Sequence, residues 1–252
     1  MTEHVRIERD GGVLAITLAR PERRNAITVA MYAALADAIA GAADDEGTRL
    51  ITLRGEGEDF TAGNDLGDFL ATPPSGRIKG DIPVWRLLRA LAVNEVPILA
   101  AVQGNAVGIG TTMLFHCDLV IAEDGARFRM PFVDLGLVPE AASSLLMPRL
   151  AGRRAAARHL LLGEPFGASA AHGMGLASHV APSGGLDAGF EQIRQALLAK
   201  PVQALRLTQK LLRADDRAEV LDRMTIENGH FSERLSSDEV KQAIAAFFAK
   251  RG

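Results

Sequence analysis

The segment from Pro97 to Gly104 reads PILAAVQG, and Ile98 to Val102 are apolar without a break. A strand with one wet face alternates polar and apolar residues. A short unbroken run between proline and glycine suits a strand covered on both sides, the setting of a parallel strand in an α/β sheet. Such a sheet needs helices over both faces. The 252 residues, 48% of them hydrophobic, can supply them.

The rest of the chain fits that frame. Val5 and Ile7, then Val13, Ala15 and Thr17, alternate around Asp10-Gly11-Gly12, which predicts a hairpin. From Thr28 to Ala43 the period changes, with Met31, Leu35 and Ile39 at helical spacing. Short strands are expected at Leu50–Leu53, Leu119–Ala122 and Arg127–Met130, and helices over Ile82–Val93 and from Thr111. After about residue 140 strand signals fade; Ser143–Leu162 and Asp187–Gly252 read as helical. The expected fold class is α/β, with a core over residues 1–195 and a helical part over 196–252. The stretch ATPPSGRIKG, Ala71 to Gly80, reads as a surface loop inside the core.

Composition narrows the function classes. A net charge of -3 provides no electrostatic footprint for nucleic acid. The single cysteine, Cys117, excludes an internal disulfide and any multi-cysteine zinc site. The polar start MTEHVRIERDGG lacks the apolar core of a signal peptide, and no apolar run is long enough to span a bilayer. The expectation is a cytoplasmic protein with no membrane partner.

Two segments share one design. GEGEDFTAGNDL, Gly55 to Leu66, follows a strand, and so does GNAVGIGTTML, Gly104 to Leu114, which opens a helix. Strand-to-glycine turns can leave amide N–H groups pointing into a cleft, and two amides aimed at one oxygen stabilise an oxyanion. The same glycines also serve plain tight turns and close packing. Neither segment has the spacing of a dinucleotide fingerprint, and no phosphate-loop motif occurs.

These segments resemble the crotonase superfamily, the enoyl-CoA hydratase/isomerase family. RPERRNAITVAMYAAL (Arg20 to Leu35) is similar to its early P-x-x-x-N-A motif, and FTAGNDL (Phe60 to Leu66) to its F-x-A-G-x-D-L motif. AAVQGNAVGIGTTMLFHCDLVIA (Ala100 to Ala122) follows its glycine segment without a gap, and FVDLGLVPEAASSLLMPRL and AFFAKRG complete the order. The resemblance implies a crotonase-type ββα spiral core, with 196–252 as a trimerisation region and a homotrimer or dimer of trimers as the assembly. It implies acyl-coenzyme A thioesters as substrates, with no separate cofactor and no metal. The oxyanion amides fall on Asn64 and on Ile109, where the family usually has glycine. Arg23, Arg24, Ala26, Ala62, Asp65 and Leu66 fall on coenzyme A-binding positions, as do Phe247 and Lys250 near the C-terminus. By charge alone, Arg23 and Arg24 also read as an exposed turn, and Phe247 as ordinary helix packing.

The two glutamates with which family hydratases activate water fall on Thr112 and Phe132, neither of which is a base. Glu140, in LGLVPEAASS, falls where Δ3,Δ2-enoyl-CoA isomerases carry their acid. By pattern alone Pro139-Glu140 also reads as the opening of a helix. The resemblance therefore favours an enoyl-CoA isomerase with Glu140 as acid/base. The alternatives are a hydratase or other crotonase-type lyase or hydrolase, and a non-catalytic acyl-CoA-binding protein. Asp134 is expected as a turn or subunit-contact residue, His116 as a packed or hydrogen-bonded one, and His172 as no metal ligand.

Overall fold

The computed structural model describes residues 2–71, 82–214 and 216–249. The predicted loop at 71–80 thus lies, beyond Ala71, outside the described residues. Nine strands are described: β1 (Val5–Asp10), β2 (Val13–Leu18), β3 (Leu50–Gly55), β4 (Ile98–Val102), β5 (Asn105–Val107), β6 (Leu119–Glu123), β7 (Arg127–Arg129), β8 (Phe166–Gly167) and β9 (His179–Ala181). They form a six-stranded sheet in the order β1-β2-β3-β4-β6-β9 and a three-stranded sheet, β5-β7-β8. In the large sheet only the β1–β2 hairpin is antiparallel. Gly11 and Gly12 close that hairpin with φ of 55° and 81°, the left-handed pair a two-residue turn needs.

The unbroken apolar run is the centre of this sheet. β4 pairs in parallel with β3 (Leu53 opposite Ala100) and β6 (Ala100 opposite Val120). Ile98, Ala100 and Val102 face a core shared with Met31, Leu35 and Ile39 of helix α1 (Val29–Ala43). Leu99 and Ala101 face the opposite side, among Val13, Leu50, Ile121 and Phe190.

The helices after α1 are α2 (Leu66–Ala71), α3 (Pro83–Val93), α4 (Ile109–Thr112), α5 (Ser143–Ala151), α6 (Arg153–Leu161), α7 (Ala168–Gly173), α8 (Leu186–Leu198), α9 (Val202–Arg213), α10 (Arg217–Leu235) and α11 (Asp238–Ala249). Three details depart from expectation. The expected helix over 143–162 is broken at Gly152, whose φ of 78° and ψ of 156° cannot continue a helix. The short strands β8 and β9 lie where strand signals fade, because two or three residues are too few to show a period. The 195/196 division falls inside α8, whose Leu186, Phe190 and Ile193 pack on the sheet; the helix belongs to the core layer.

Candidate active site

The site is built from two backbone turns that interlock. The first begins at Asn25, which is fully buried with φ of 54°. Asparagine tolerates the left-handed region and both donates and accepts. Its Oδ1 accepts the Arg20 amide at 2.8 Å, and its Nδ2 donates to the carbonyls of Glu56 and Asp59, both at 2.8 Å. That ties the Arg20–Asn25 turn to the exit of β3. The buried Thr61 hydroxyl donates to the Asn25 carbonyl (2.6 Å) and accepts the Gly63 amide (3.1 Å). Ile27 N–H donates to Gly63 O at 2.8 Å and Asp65 N–H to Ile27 O at 3.0 Å. The amides flanking Asn64 are therefore spent. Among the hydrogen bonds of the described residues, the Asn64 amide donates to none.

The second turn leaves β5. Val107 N–H donates to Thr61 O at 3.0 Å, and Gly108 N–H to Arg129 O at 2.8 Å. Gly108 has φ of 57° and ψ of −119°, a conformation open to glycine. It turns the chain into α4, so Ile109 sits at the helix start, where an N–H has no partner one turn earlier. Among the described residues its amide too is unspent. The turns touch backbone to backbone: a Cβ on Gly63 (φ +86°) would lie 2.5 Å from the Val107 carbonyl oxygen.

Asn64 and Ile109 line one cavity of about 880 Å³, together with Arg23, Arg24, Ala26, Ala62, Asp65 and Leu66. That volume suits a drug-sized or larger ligand. Arg23 and Arg24 come from the turn at its mouth. Arg24 is two-thirds exposed, with the Asp59 carboxylate 3.8 Å away. Asp65 pairs with Arg20 at 2.6 Å and caps α2 by accepting the Gly67 amide at 3.0 Å. The inner wall is apolar: Phe132 and Phe231 meet edge to face, 6.5 Å between ring centroids, and Leu137 and Ile244 of α11 complete it. Lys250 and the Phe247 side chain lie outside the described residues.

Glu140 does not line this cavity. It is buried beyond it, next to α4, where Thr112 Oγ1 approaches its Oε1 at a long 3.5 Å. Nor does it open a helix, as its pattern suggested. Ala141 and Ala142 follow it in left-handed backbone, and α5 starts only at Ser143. Burial first, then the negative charge of Glu227, pushes the Glu140 carboxyl up to about 8. Folding therefore favours its protonated form. Its stabilising contribution is complete below the unfolded value near 4.5 and is lost as pH rises through about 8. Glu140→Gln is thus expected to gain stability relative to the wild type between pH 5 and 9, by a few kcal/mol at the upper end. Urea midpoints of both proteins across that range check the sign.

Two buried residues near the site carried no signal in the sequence. Tyr32, on the core face of α1, hydrogen-bonds through its hydroxyl to Asn64 Oδ1. Burial, and then the Glu140 charge, holds its phenol far above the usual value, so it remains a donor. Glu227 of α10 binds the backbone just after Glu140. An alanine-rich helix hides the first among packing residues, and the second acts across more than 80 residues of chain. Of the other candidates, Asp134 lines the cavity and pairs with Arg129 at 2.9 Å. His116 bonds the Ala141 carbonyl at 2.8 Å and His172 the Ala177 carbonyl at 3.0 Å. Among the described residues no cluster of acids, histidines and cysteine could hold a metal ion, and no helix is long and apolar enough to cross a membrane.

Comparison with known proteins places this arrangement. The chain is 32% identical over 255 residues to 1,2-epoxyphenylacetyl-CoA isomerase of Escherichia coli, covering 100% of this chain and 97% of that one. It is 33% identical to a probable enoyl-CoA hydratase of Rhodobacter capsulatus, covering 98% and 95%. The crystal structure of an enoyl-CoA hydratase/isomerase from Pseudoalteromonas atlantica superposes with a TM-score of 0.91 at 39% identity, covering 99% and 98%. Isomerase and hydratase names both occur at this distance. The sequence model of enoyl-CoA hydratase/isomerase matches residues 8–252, and with the interlocked turns, the paired sheets and the C-terminal helices in place, the chain belongs to the enoyl-CoA hydratase/isomerase family of the crotonase superfamily.

Proposed function

We propose that this acyl-CoA enzyme is a Δ3,Δ2-enoyl-CoA isomerase with Glu140 as its acid/base. One observation carries this: the buried Glu140 carboxylate touches the helix that starts at Ile109, while Thr112 and Phe132, where the family resemblance puts the hydratase acids, carry no carboxylate. Water addition calls for groups that hold and activate a water. Phe132 makes that wall dry, and the Thr112 hydroxyl is no base near neutral pH. A double-bond shift needs one base and no water.

The thioester of a 3-enoyl-CoA enters the cavity with its carbonyl oxygen toward the Asn64 and Ile109 amides. Its acyl chain has to pass inward beyond the cavity wall, along α4, to bring C2 and C4 to Glu140, which the cavity itself does not reach. The Glu140 carboxylate takes a proton from C2. The C–H electron pair passes into the conjugated system, and the charge settles on the thioester oxygen, where the two amides and the start of α4 stabilise it. Protonated Glu140 then returns the proton at C4 as the double bond forms between C2 and C3. The base must be ionised to begin, and burial raises it to about 8. The acid limb of kcat/KM should therefore lie near pH 8, with activity rising as pH increases through it. A limb near pH 5 would contradict Glu140 as the base.

Arg23 and Arg24 suit the phosphates of coenzyme A, since guanidinium donors match phosphate oxygens in pairs. Replacing Arg24 with alanine should raise KM for the thioester roughly 3–10-fold, about 1 kcal/mol, and leave kcat unchanged. Added salt should shrink the difference. Leu207, Leu211 and Leu212 of α9 are exposed, the latter two by 75%, which supports the C-terminal helices as subunit contacts in a homotrimer or dimer of trimers.

A further inference from the structure

The backbone immediately after Glu140 is strained. Ala141 and Ala142 have φ of 59° and 56°, a region that disfavours any residue with a Cβ. Something must hold it, and the bonds come from α10. Glu227 Oε2 accepts the Ala142 N–H at 2.6 Å and Oε1 accepts the Ser144 N–H at 2.9 Å. Glu227 is itself 5% exposed. From the other side His116 Nε2 bonds the Ala141 carbonyl at 2.8 Å, and the Ser143 hydroxyl donates to the Glu140 carbonyl at 2.6 Å.

We propose that Glu227 is a positioning residue for Glu140: by holding the Ala142 and Ser144 amides it maintains the left-handed turn that aims the Glu140 side chain, and its buried negative charge acts on that carboxyl. The proposal rests on Glu140 being the acid/base. The plainer role for Glu227 is a cap supplied in trans to α5, whose first amides need acceptors. The two roles differ in whether Glu140 feels the charge.

The groups that act on Glu140 are Tyr32 from α1, Thr112 from α4 and Glu227 from α10, while His116, from the turn after α4, and Arg223 of α10 hold the backbone that follows it. Burial pushes His116 down to about 4, so it is neutral near pH 7, and Tyr32 keeps its proton. Burial pushes the Glu227 carboxyl up as well, but its two amide donors and Arg223 pull the other way. Arg223 also anchors the turn by donating to Ser144 Oγ at 3.2 Å. The Glu227 carboxyl still stands above its ordinary value, so both carboxyls bear the cost of burial, and Glu140, which accepts only the long Thr112 contact, is the one pushed to about 8.

The test reads the Glu140 titration directly, by carboxyl infrared difference spectra of the isotope-labelled full-length protein without substrate, with Glu140→Gln identifying the band. Glu227→Gln removes the charge and presents an NH₂ to one of the two amides. Its Glu140 midpoint should fall by about one pH unit or more, roughly tenfold in proton affinity, and the acid limb of the isomerase profile should fall with it. A folded Glu227→Gln with an unmoved midpoint overturns the proposal. If that variant does not fold, Glu227→Asp decides. It keeps the charge but is too short to span both amides, so kcat should drop about tenfold or more while KM changes by less than about twofold. An unchanged kcat overturns it. The midpoint is read without substrate, so the two proposals fail separately. A shifted midpoint with a fully active Glu140→Gln sinks the isomerase assignment and leaves the coupling. An inactive Glu140→Gln with an unshifted midpoint does the reverse.

Discussion

Replacing Glu140 with glutamine should reduce double-bond migration by about 10²–10⁴-fold while leaving the protein folded and, above pH 8, more stable. The substitution keeps the size of the side chain and an oxygen for the Thr112 hydroxyl at 3.5 Å. It removes only the base. A fall in activity from misfolding would come with a lower melting temperature; here the two should move in opposite directions, because a buried, poorly paired carboxylate costs stability once it ionises. The assay follows the absorbance of the conjugated thioester formed from a 3-enoyl-CoA, and equal rates in both proteins would remove Glu140 from the mechanism. Crotonyl-CoA is the companion substrate. Neither protein should consume its conjugation at a significant rate, since the Phe132 side chain is apolar and the Thr112 hydroxyl is no base near neutral pH. Fast hydration by the wild type would overturn the isomerase assignment in favour of a hydratase.

Glycine 63 is the second position with a large expected effect. Its φ of +86° is costly for alanine, and the added Cβ would meet the Val107 carbonyl oxygen at 2.5 Å. That oxygen belongs to backbone held by Thr61 and leading straight into Gly108 and Ile109, so it has little room to yield. Relief has to come from the turn itself, which swings the Asn64 amide away from the position shared with Ile109. Loss of one oxyanion donor typically lowers the rate by about 10²–10³-fold, and Gly63→Ala should fall in that range. Its signature differs from that of Glu140→Gln. The acid limb should stay near pH 8, because the base is untouched, while the plateau drops and the melting temperature falls. A Gly63→Ala protein with full activity would mean that the Asn64 amide is not an oxyanion donor.

The extent to which the site could be read from sequence follows the range of its interactions. The two strand-glycine-turn segments were legible because glycines report the local backbone directly, whereas the choice of Asn64 and Ile109 within them came only through the family resemblance. The apolar run at Ile98–Val102 was legible because burial on both faces leaves no polar position in a strand. Glu140 was legible through its resemblance to the isomerase segment, yet its local pattern pointed to a helix start, and the structure puts two left-handed alanines there instead. Alanine rarely adopts that conformation, so nothing in PEAASS announces it; the cost is met by Glu227 from a distant helix. Tyr32 was hidden for a related reason. In an alanine-rich helix an aromatic at a core position looks like packing, and only the tertiary contact with Asn64 makes it part of the site.

What the sequence determined by itself is whatever depends on neighbours along the chain: the parallel sheet, the hairpin, the glycine turns and the family. What only the tertiary structure decided is the chemical state of the acid. A carboxylate in isolation titrates near 4.5; Glu140 is moved to about 8 by burial and by a second carboxylate 87 positions away in the chain. Desolvation and charge act through space, and no local pattern carries them.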